Sequence, residues 1–235
     1  MNLRLAVLNP NTNAATTAHM VGIVRALVPF GVSVEGHSMS LGPGIVTDET
    51  ALAAAARQIE TVGRTLASDG VAGLLIAGFG DPGLQVLRKT LAIPVTGIAE
   101  AGMAEAAARG RFSIITTTPD LQGAILSLVK AYGHEQALAS LRITPGIAEK
   151  VMADPEELQR ALVSIARDCA DDGAASVLIG GGPLARAARA VSDAIDLPVI
   201  EPVAAGARLS LCRLGLPCCP ANDQPPPPHQ KRTLP

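Results

Sequence analysis

The stretch DGVAGLLIAGFGDPGLQVLRKTLAIPVTGIAEAG, starting at Asp69, recurs in altered form as DGAASVLIGGGPLARAARAVSDAIDLPVIEPVAAG from Asp172. Without a gap, Gly70 falls on Gly173, Ile76 on Ile179 and Gly78 on Gly181; one inserted residue later, Pro94-Val95 falls on Pro198-Val199. A weaker pair joins RLAVLNPNTN from Arg4 to RFSIITTTPD from Arg111, each a basic residue, an apolar run and a polar turn. An internal repeat of this length constrains the chain more than any short motif, because related halves must fold into related strand-helix sets.

Short β-branched and apolar runs near 3–8, 32–37, 72–77, 94–98, 112–116, 141–143, 176–180 and 198–200 read as strands. Ala- and Leu-rich segments of helical period lie between them, near 13–28, 48–67, 83–91, 100–109, 120–132, 155–171, 184–194 and 203–214. This alternation predicts parallel sheets with helices on both faces. Thr47-Asp48 and Asp154-Pro155, the latter followed by Glu156 and Glu157, have the chemistry of helix starts.

Hydrophobic residues make up 48% of the 235, enough for one large domain or two intimate lobes. With 17% charged residues and a net charge of -2, nothing calls for nucleic acid or an anionic membrane as partner. No window reads as a membrane span, and MNLRLAVLNPNT lacks the apolar length of a secretory signal, so a cytoplasmic location is expected. Cys169, Cys212, Cys218 and Cys219 lack metal-site spacing, which leaves no metal site expected and reads as buried or incidental thiols. The segment PANDQPPPPHQKRTLP has no apolar period and is expected to be disordered or loosely attached, which removes His229, Lys231 and Arg232 from consideration.

Function is expected at the strand ends. LLIAGFGDPG stops an apolar run in a glycine loop, the place where parallel α/β proteins bind ligands. If the halves face each other, Gly78 and Gly181 reach one cleft from opposite sides, beside the NPNT and TTTPD turns. Glycine loops and the helix N-termini that follow them present N–H groups, with Asn9, Asn11, Thr12, Thr116, Thr117 and Thr118 nearby. Such a cleft suits a carboxylate or a polarised amide carbonyl. The competing reading is structural: glycine serves the turn, and Asn or Thr caps the next helix. No phosphate loop of the G-x-x-x-x-G-K-[ST] type occurs, and GFGDPG is no dinucleotide fingerprint.

The stretches NPNTN at 9–13, GPGIVTDET at 42–50, GFGDPGL at 78–84, IPVTGIAEAG at 93–102, SIITTTP at 113–119, DGAASVLIGGG at 172–182 and LPVIEPVAAG at 197–206 resemble the aspartate/glutamate/hydantoin racemase superfamily, most of all its hydantoin and allantoin racemase branch. The resemblance implies an α/β fold of two pseudo-symmetric lobes, each a parallel β-sheet flanked by helices, with a cleft between. It places residues 1–100 plus about 203–218 in the first lobe, 101–202 in the second and 219–235 in the Pro-rich tail. It implies no cofactor, a small-molecule carboxylate or cyclic amide as ligand, and a homo-oligomer.

In that family two cysteines work on opposite faces of the substrate carbon, one taking the α-proton and the other returning one. The resemblance puts them at Gly78 and Gly181, and neither is a cysteine here. Lys89 stands where a Glu is usual, and the arginine that commonly follows the Thr run is missing. A missing acid-base group costs ~10²–10⁴-fold in rate, so ordinary two-thiol racemisation is not expected. Asp81, Asp120, His37 and Glu201 are the remaining candidates for proton transfer, each with a competing reading as a helix cap or solvated group. The expected substrate-binding residues are Asn9, Asn11, Thr12, Ile45, Gly78, Phe79, Gly80, Thr116, Thr117, Gly181, Gly182 and Pro183. An isomerase- or lyase-type enzyme leads; a racemase-fold protein that binds without turnover, or an engineered cysteine-free variant, are the alternatives.

Overall fold

The computed structural model describes residues 3–217, and the tail at 219–235 lies outside them. Strands β1 (Leu3–Asn9), β2 (Val32–Ser38), β3 (Gly73–Ile76) and β4 (Val95–Gly97) form one parallel sheet in the order β2-β1-β3-β4. Strands β5 (Phe112–Thr116), β6 (Leu138–Ile143), β7 (Ser176–Ile179) and β8 (Val199–Ile200) form a second, ordered β6-β5-β7-β8. The second order is the first advanced by one half of the chain, as the repeat requires. The pairings agree too: Leu8 lies opposite Ile76, and Ile115 opposite Ile179.

The helices are α1 (Ala14–Arg25), α2 (Glu49–Ser68), α3 (Leu84–Thr90), α4 (Ile98–Ala107), α5 (Gln122–Ala131), α6 (Ala148–Ala153), α7 (Pro155–Asp171), α8 (Ala188–Ala194) and α9 (Pro202–Arg213). Short 3₁₀ turns at Pro119–Leu121 and Gly182–Ala187 precede α5 and α8. The starts follow the sequence signals. Asp48 accepts from Ala51 N at 2.8 Å, and Asp154 accepts from Glu156 N at 2.9 Å, each satisfying a donor that a helix's first turn leaves open.

Strand alternation divides the core. In β1, Leu5 and Val7 face one way while Ala6 and Leu8 face the other, where α2 and α3 pack with Ile59, Leu66, Leu84 and Leu87. In the second sheet, Ile115, Val177 and Ile179 meet Leu158, Leu162 and Ile165 of α7 and Val191 of α8. The remaining faces share one cluster: Leu5, Val7 and Leu75 of the first sheet join Phe112, Ile114, Leu178 and Ile200 of the second. Helices α1, α4, α5 and α9 lie in this shared layer, with Met20, Met103, Ile125 and Val203 all at most 1% exposed. Both sheets are therefore covered on both faces, which is why their strands read as apolar runs. The shared layer holds the two sets of strand ends beside each other.

Two elements differ from the sequence expectation. Strand β6 starts at Leu138, and α6 falls between Pro145 and Pro155, where the sequence pattern gives no element. Six residues carry too little period to register, yet burial of Ala148 and Val151 makes this turn a helix. Cys169 is a buried free thiol, as expected, whereas Cys212 is disulfide-bonded, which corrects its reading as a buried or incidental thiol; Cys218 and Cys219 lie outside the described residues.

Candidate functional site

The ends of β1, β3, β5 and β7 surround a cavity that encloses about 540 Å³ of free space counted to its open mouth. Gly78 and Phe79 line it from the first half, and Gly180, Gly181, Gly182 and Pro183 from the second. Asn11 closes one side and Thr116, Thr117 and Thr118 the other. Ile45 and Val46 from the segment leading into α2, Leu52 in its first turn and Met152 of α6 form the mouth. The halves touch here: a Cβ added to Gly182 would lie 3.1 Å from Ala77 O, and one on Gly180 would lie 3.2 Å from Phe79 Cε1. Glycine at these positions is a packing requirement as well as a turn.

The orientation of Asn11 follows from its neighbours. Its Oδ1 takes the Asn13 backbone N–H at 2.9 Å and Asn9 Nδ2 at 2.8 Å, so its amide nitrogen is the end left over, without a partner among the described residues. Across the cavity, Gly180 O can only accept, so Thr116 Oγ1 donates to it at 3.0 Å. Thr118 Oγ1, 3.2 Å from Thr116 Oγ1, then supplies the proton of that contact. The Thr117 hydroxyl makes no hydrogen bond among the described residues. Nor do the backbone N–H groups of Gly78, Phe79, Thr117 and Thr118. The wall is rich in donors and carries no charge: no Asp, Glu, His, Cys, Lys, Arg or Tyr is among its lining residues.

Gly181, Gly182, Pro183, Asn11, Gly78, Phe79, Thr116 and Thr117 thus come together as the repeat suggests, joined by Ile45 from the GPGIVTDET stretch. Asn9, Thr12 and Gly80 do not line the cavity. Asn9 is buried with its amide nitrogen bonded to Asn11 Oδ1, Asn13 O and Thr17 Oγ1, which folds the NPNT turn. Thr12 N donates to Pro43 O at 3.2 Å, tying the mouth segment down. Gly80 faces Leu52, whose Cδ1 would lie 2.8 Å from an added Cβ. Pro10, Val46, Leu52, Ala77, Thr118, Leu121, Met152, Gly180 and Leu184 complete the wall. Thr118 is among the side chains the sequence places beside the cleft; Pro10, Ala77 and Gly180 neighbour motif residues, so chain adjacency is a signal for them, while Leu52 and Met152 give none.

The acid-base candidates lie elsewhere. Asp120 is exposed on its 3₁₀ turn while Thr118 and Leu121 on either side face inward. His37 sits on the edge strand β2, its Nε2 3.5 Å from Glu35 Oε1 and without a hydrogen bond. Glu201 caps α9, accepting from Val203 N at 2.8 Å and Ala204 N at 2.7 Å, with burial pushing its carboxyl above the ordinary range. Asp81 does the same for α4 and is buried behind the cavity. Glu201→Ala should lower stability by about 0.5–2 kcal/mol in chemical denaturation without altering any ligand response of the cavity. Among the described residues no cluster of His, Cys, Asp or Glu gathers to hold a metal ion, and no helix is long and apolar enough to cross a membrane.

Comparison with known proteins converges on one group. The family model described as Asp/Glu/Hydantoin racemase matches residues 5–210. A hydantoin racemase of Paenarthrobacter aurescens is 31% identical over 94% of this chain and 95% of its own length. Allantoin racemase from Klebsiella pneumoniae superposes with a TM-score of 0.83 at 31% identity, covering 92% of this chain and 90% of that one. Allantoin racemase from Pseudomonas fluorescens also gives 0.83, at 27% identity over 92% and 94%.

Proposed function

This chain belongs to the Asp/Glu/hydantoin racemase family, and from that premise we propose that it is a cofactor-independent enzyme acting on the carbon alpha to a carbonyl in a small cyclic amide or carboxylate, without two catalytic thiols. The observation that carries the reading is the cavity between the two repeat-related strand ends, with a wall that offers N–H and O–H donors and no charge. Its relatives' names, hydantoin and allantoin racemase, point to cyclic amides as the first ligands to try.

Loss of an α-proton leaves negative charge on the neighbouring carbonyl oxygen. Donors already aimed at that oxygen need no reorganisation as the charge develops, and each is worth ~10²–10³-fold in rate. Asn11 Nδ2, the Thr117 hydroxyl and the loop N–H groups supply this electrostatic half of the reaction. The proton-transfer half has no titratable side chain in the wall, since glycine occupies both positions, 78 and 181, where the family resemblance places cysteine. The α-proton must therefore pass to, and return from, a solvent base that enters the cavity, so turnover should be slow, with exchange of the α-proton its most sensitive sign.

The test is α-proton exchange in D₂O with 5-substituted hydantoins, allantoin, aspartate and glutamate, followed by NMR or mass spectrometry. Exchange above the buffer rate with the cyclic amides is the expected result. The uncharged wall specifically favours a second reading, a binding protein that holds such a ligand without turnover. Ligand-dependent thermal shifts with no exchange would establish that reading and sink the enzyme. Assembly into a homo-oligomer is part of the proposal, checked by light scattering.

A further inference from the structure

Directly behind the Gly78–Phe79 wall lies Asp81, the only non-glycine residue among those described with a positive φ, 44°. Asp enters this region more readily than most residues, but a buried one there is held by its surroundings. Its backbone belongs to the cavity loop: Asp81 N donates to Gly78 O at 2.9 Å, and its carbonyl accepts from Leu84 N at 3.2 Å. Its side chain belongs to two other elements. The carboxylate accepts from Ala99 N at 3.0 Å and Glu100 N at 2.8 Å, at the start of α4, and from Tyr132 Oη at 2.7 Å. Tyr132 closes α5 in the second half of the chain. Gly97 makes room, since a Cβ there would lie 2.3 Å from Asp81 Cγ.

We propose that Asp81 is a positioning residue: it ties the Gly78–Gly83 loop to Tyr132, sets the separation of the two cavity walls, and releases the tie when it takes up a proton. Three donors occupy the two carboxylate oxygens. Oδ2 accepts from both Glu100 N and Tyr132 Oη, and Oδ1 from Ala99 N alone. A proton therefore takes the open site on Oδ1 and removes the negative charge that strengthens all three contacts. The two backbone donors are fixed by α4, while the Tyr132 hydroxyl can rotate, so the contact that yields is the one between the halves. Burial drives the chemistry, pushing the Asp81 carboxyl up to about 6 against the hydrogen bonds that favour its charged form.

The groups facing Asp81 are few. Glu100 on α4 is bound to Arg88 of α3 and Arg213 of α9; burial would raise its carboxyl, but those two guanidiniums outweigh burial and hold it below the ordinary range. Tyr132, raised by burial and by the Asp81 charge, stays protonated. His134, two residues beyond Tyr132, has its imidazole lowered by burial and is the other titratable side chain beside the tyrosine.

The sequence contains one tyrosine and no tryptophan, so intrinsic emission reports Tyr132 alone. A phenol that donates to a carboxylate is quenched. Emission of the unmodified protein should be low at alkaline pH and rise in one step as pH falls through about 6. Asp81→Asn should abolish the step, and His134→Gln should leave it in place. Hydrogen exchange provides the second readout: the hydrogen-bonded amides of Gly80, Asp81 and Leu84 should exchange faster in Tyr132→Phe, while those of β6 stay protected. A variant that merely weakens the fold would accelerate both. An emission step that survives in Asp81→Asn, the absence of any step in the unmodified protein, or loop amides equally protected in Tyr132→Phe would overturn the proposal. Neither measurement uses a substrate, so the outcome is independent of whether the cavity catalyses the exchange proposed above.

Discussion

Gly181→Cys should raise α-deuterium exchange into a 5-substituted hydantoin by ~10²–10⁴-fold, the worth of one positioned acid-base group, while Gly78→Cys alone should not. The difference lies in what each strand end leaves free. At Gly181 the backbone is extended (φ 165°), and an added Cβ would meet only Leu184, at 3.2 Å from Cγ and 3.3 Å from Cδ1. A leucine side chain can give by that amount. At Gly78 an added Cβ would fall 2.4 Å from Pro10 Cγ and 3.1 Å from Pro10 Cδ. A proline ring is stiff and belongs to the chain, so the end of β1 would have to move, a strain of about 1–3 kcal/mol.

A thiol on one side only can remove and return a proton on one face. The Gly181→Cys protein should therefore exchange one enantiomer of the substrate faster than the other and retain its configuration. Inversion needs a second group on the opposite face and should appear only when Gly78→Cys is added together with a smaller residue at Pro10. The comparison is read by chiral chromatography of deuterated product, with urea midpoints to confirm that each variant folds. A folded Gly181→Cys protein whose exchange matches the parent would show that the substrate carbon does not sit between the two strand ends.

The second large effect is expected at Glu100. Its side chain is 16% exposed and accepts from Arg213 Nη2 at 2.8 Å, with Arg88 on its other oxygen; Arg213 Nη1 also reaches Val95 O and Thr96 Oγ1, both at 3.1 Å. This network links α3, the β4 edge, α4 and α9, the last of which returns the chain to the first sheet. Removing the carboxylate leaves two guanidiniums half-buried without their counter-charge, so Glu100→Ala should cost about 3–5 kcal/mol. Glu100→Gln, which keeps one acceptor, should cost less. Urea unfolding at constant slope measures both.

The pH dependence of that contribution has a definite sign. The Glu100 carboxyl is lower in the folded chain than its ordinary 4.5, so its stabilisation is complete above 4.5 and disappears as pH falls through the lowered value. Asp81 runs the opposite way. Raised from 3.8 to about 6, it favours the folded state below 3.8 and loses that contribution as pH rises through 6. Stability curves of Glu100→Gln and Asp81→Asn should therefore diverge from the parent in different pH windows, the first below 4.5 and the second between 3.8 and about 6.

Particular residues show how far the sequence alone reaches. Gly78 and Gly181 were paired by repeat alignment, and both line one cavity, because a duplicated half repeats its strand order and its strand ends with it. The helix starts at Asp48 and Asp154 were readable because capping is decided within three residues. Asp81 and Glu201 looked like possible acids or bases near a strand end. The competing reading as helix caps is the one that holds, for α4 and α9; which of the two readings holds depends on where the side chain turns.

The residues that shape the mouth show the same boundary. Ile45 was picked from a motif, but Met152 of α6 comes from a stretch with too little period to be read as a helix. Composition, period and the internal repeat determined a pair of related parallel sheets and put Gly78 and Gly181 at matching strand ends, since these rest on local preference and on one half copying the other. Only the tertiary structure decided that Pro10 fills the space beside Gly78, that Tyr132 bonds Asp81 from 51 residues away and that Arg213 reaches Glu100 across 113. Those contacts depend on how the two halves dock. Docking is set by side-chain volume and hydrogen-bond geometry across a shared core, quantities that a linear pattern does not carry.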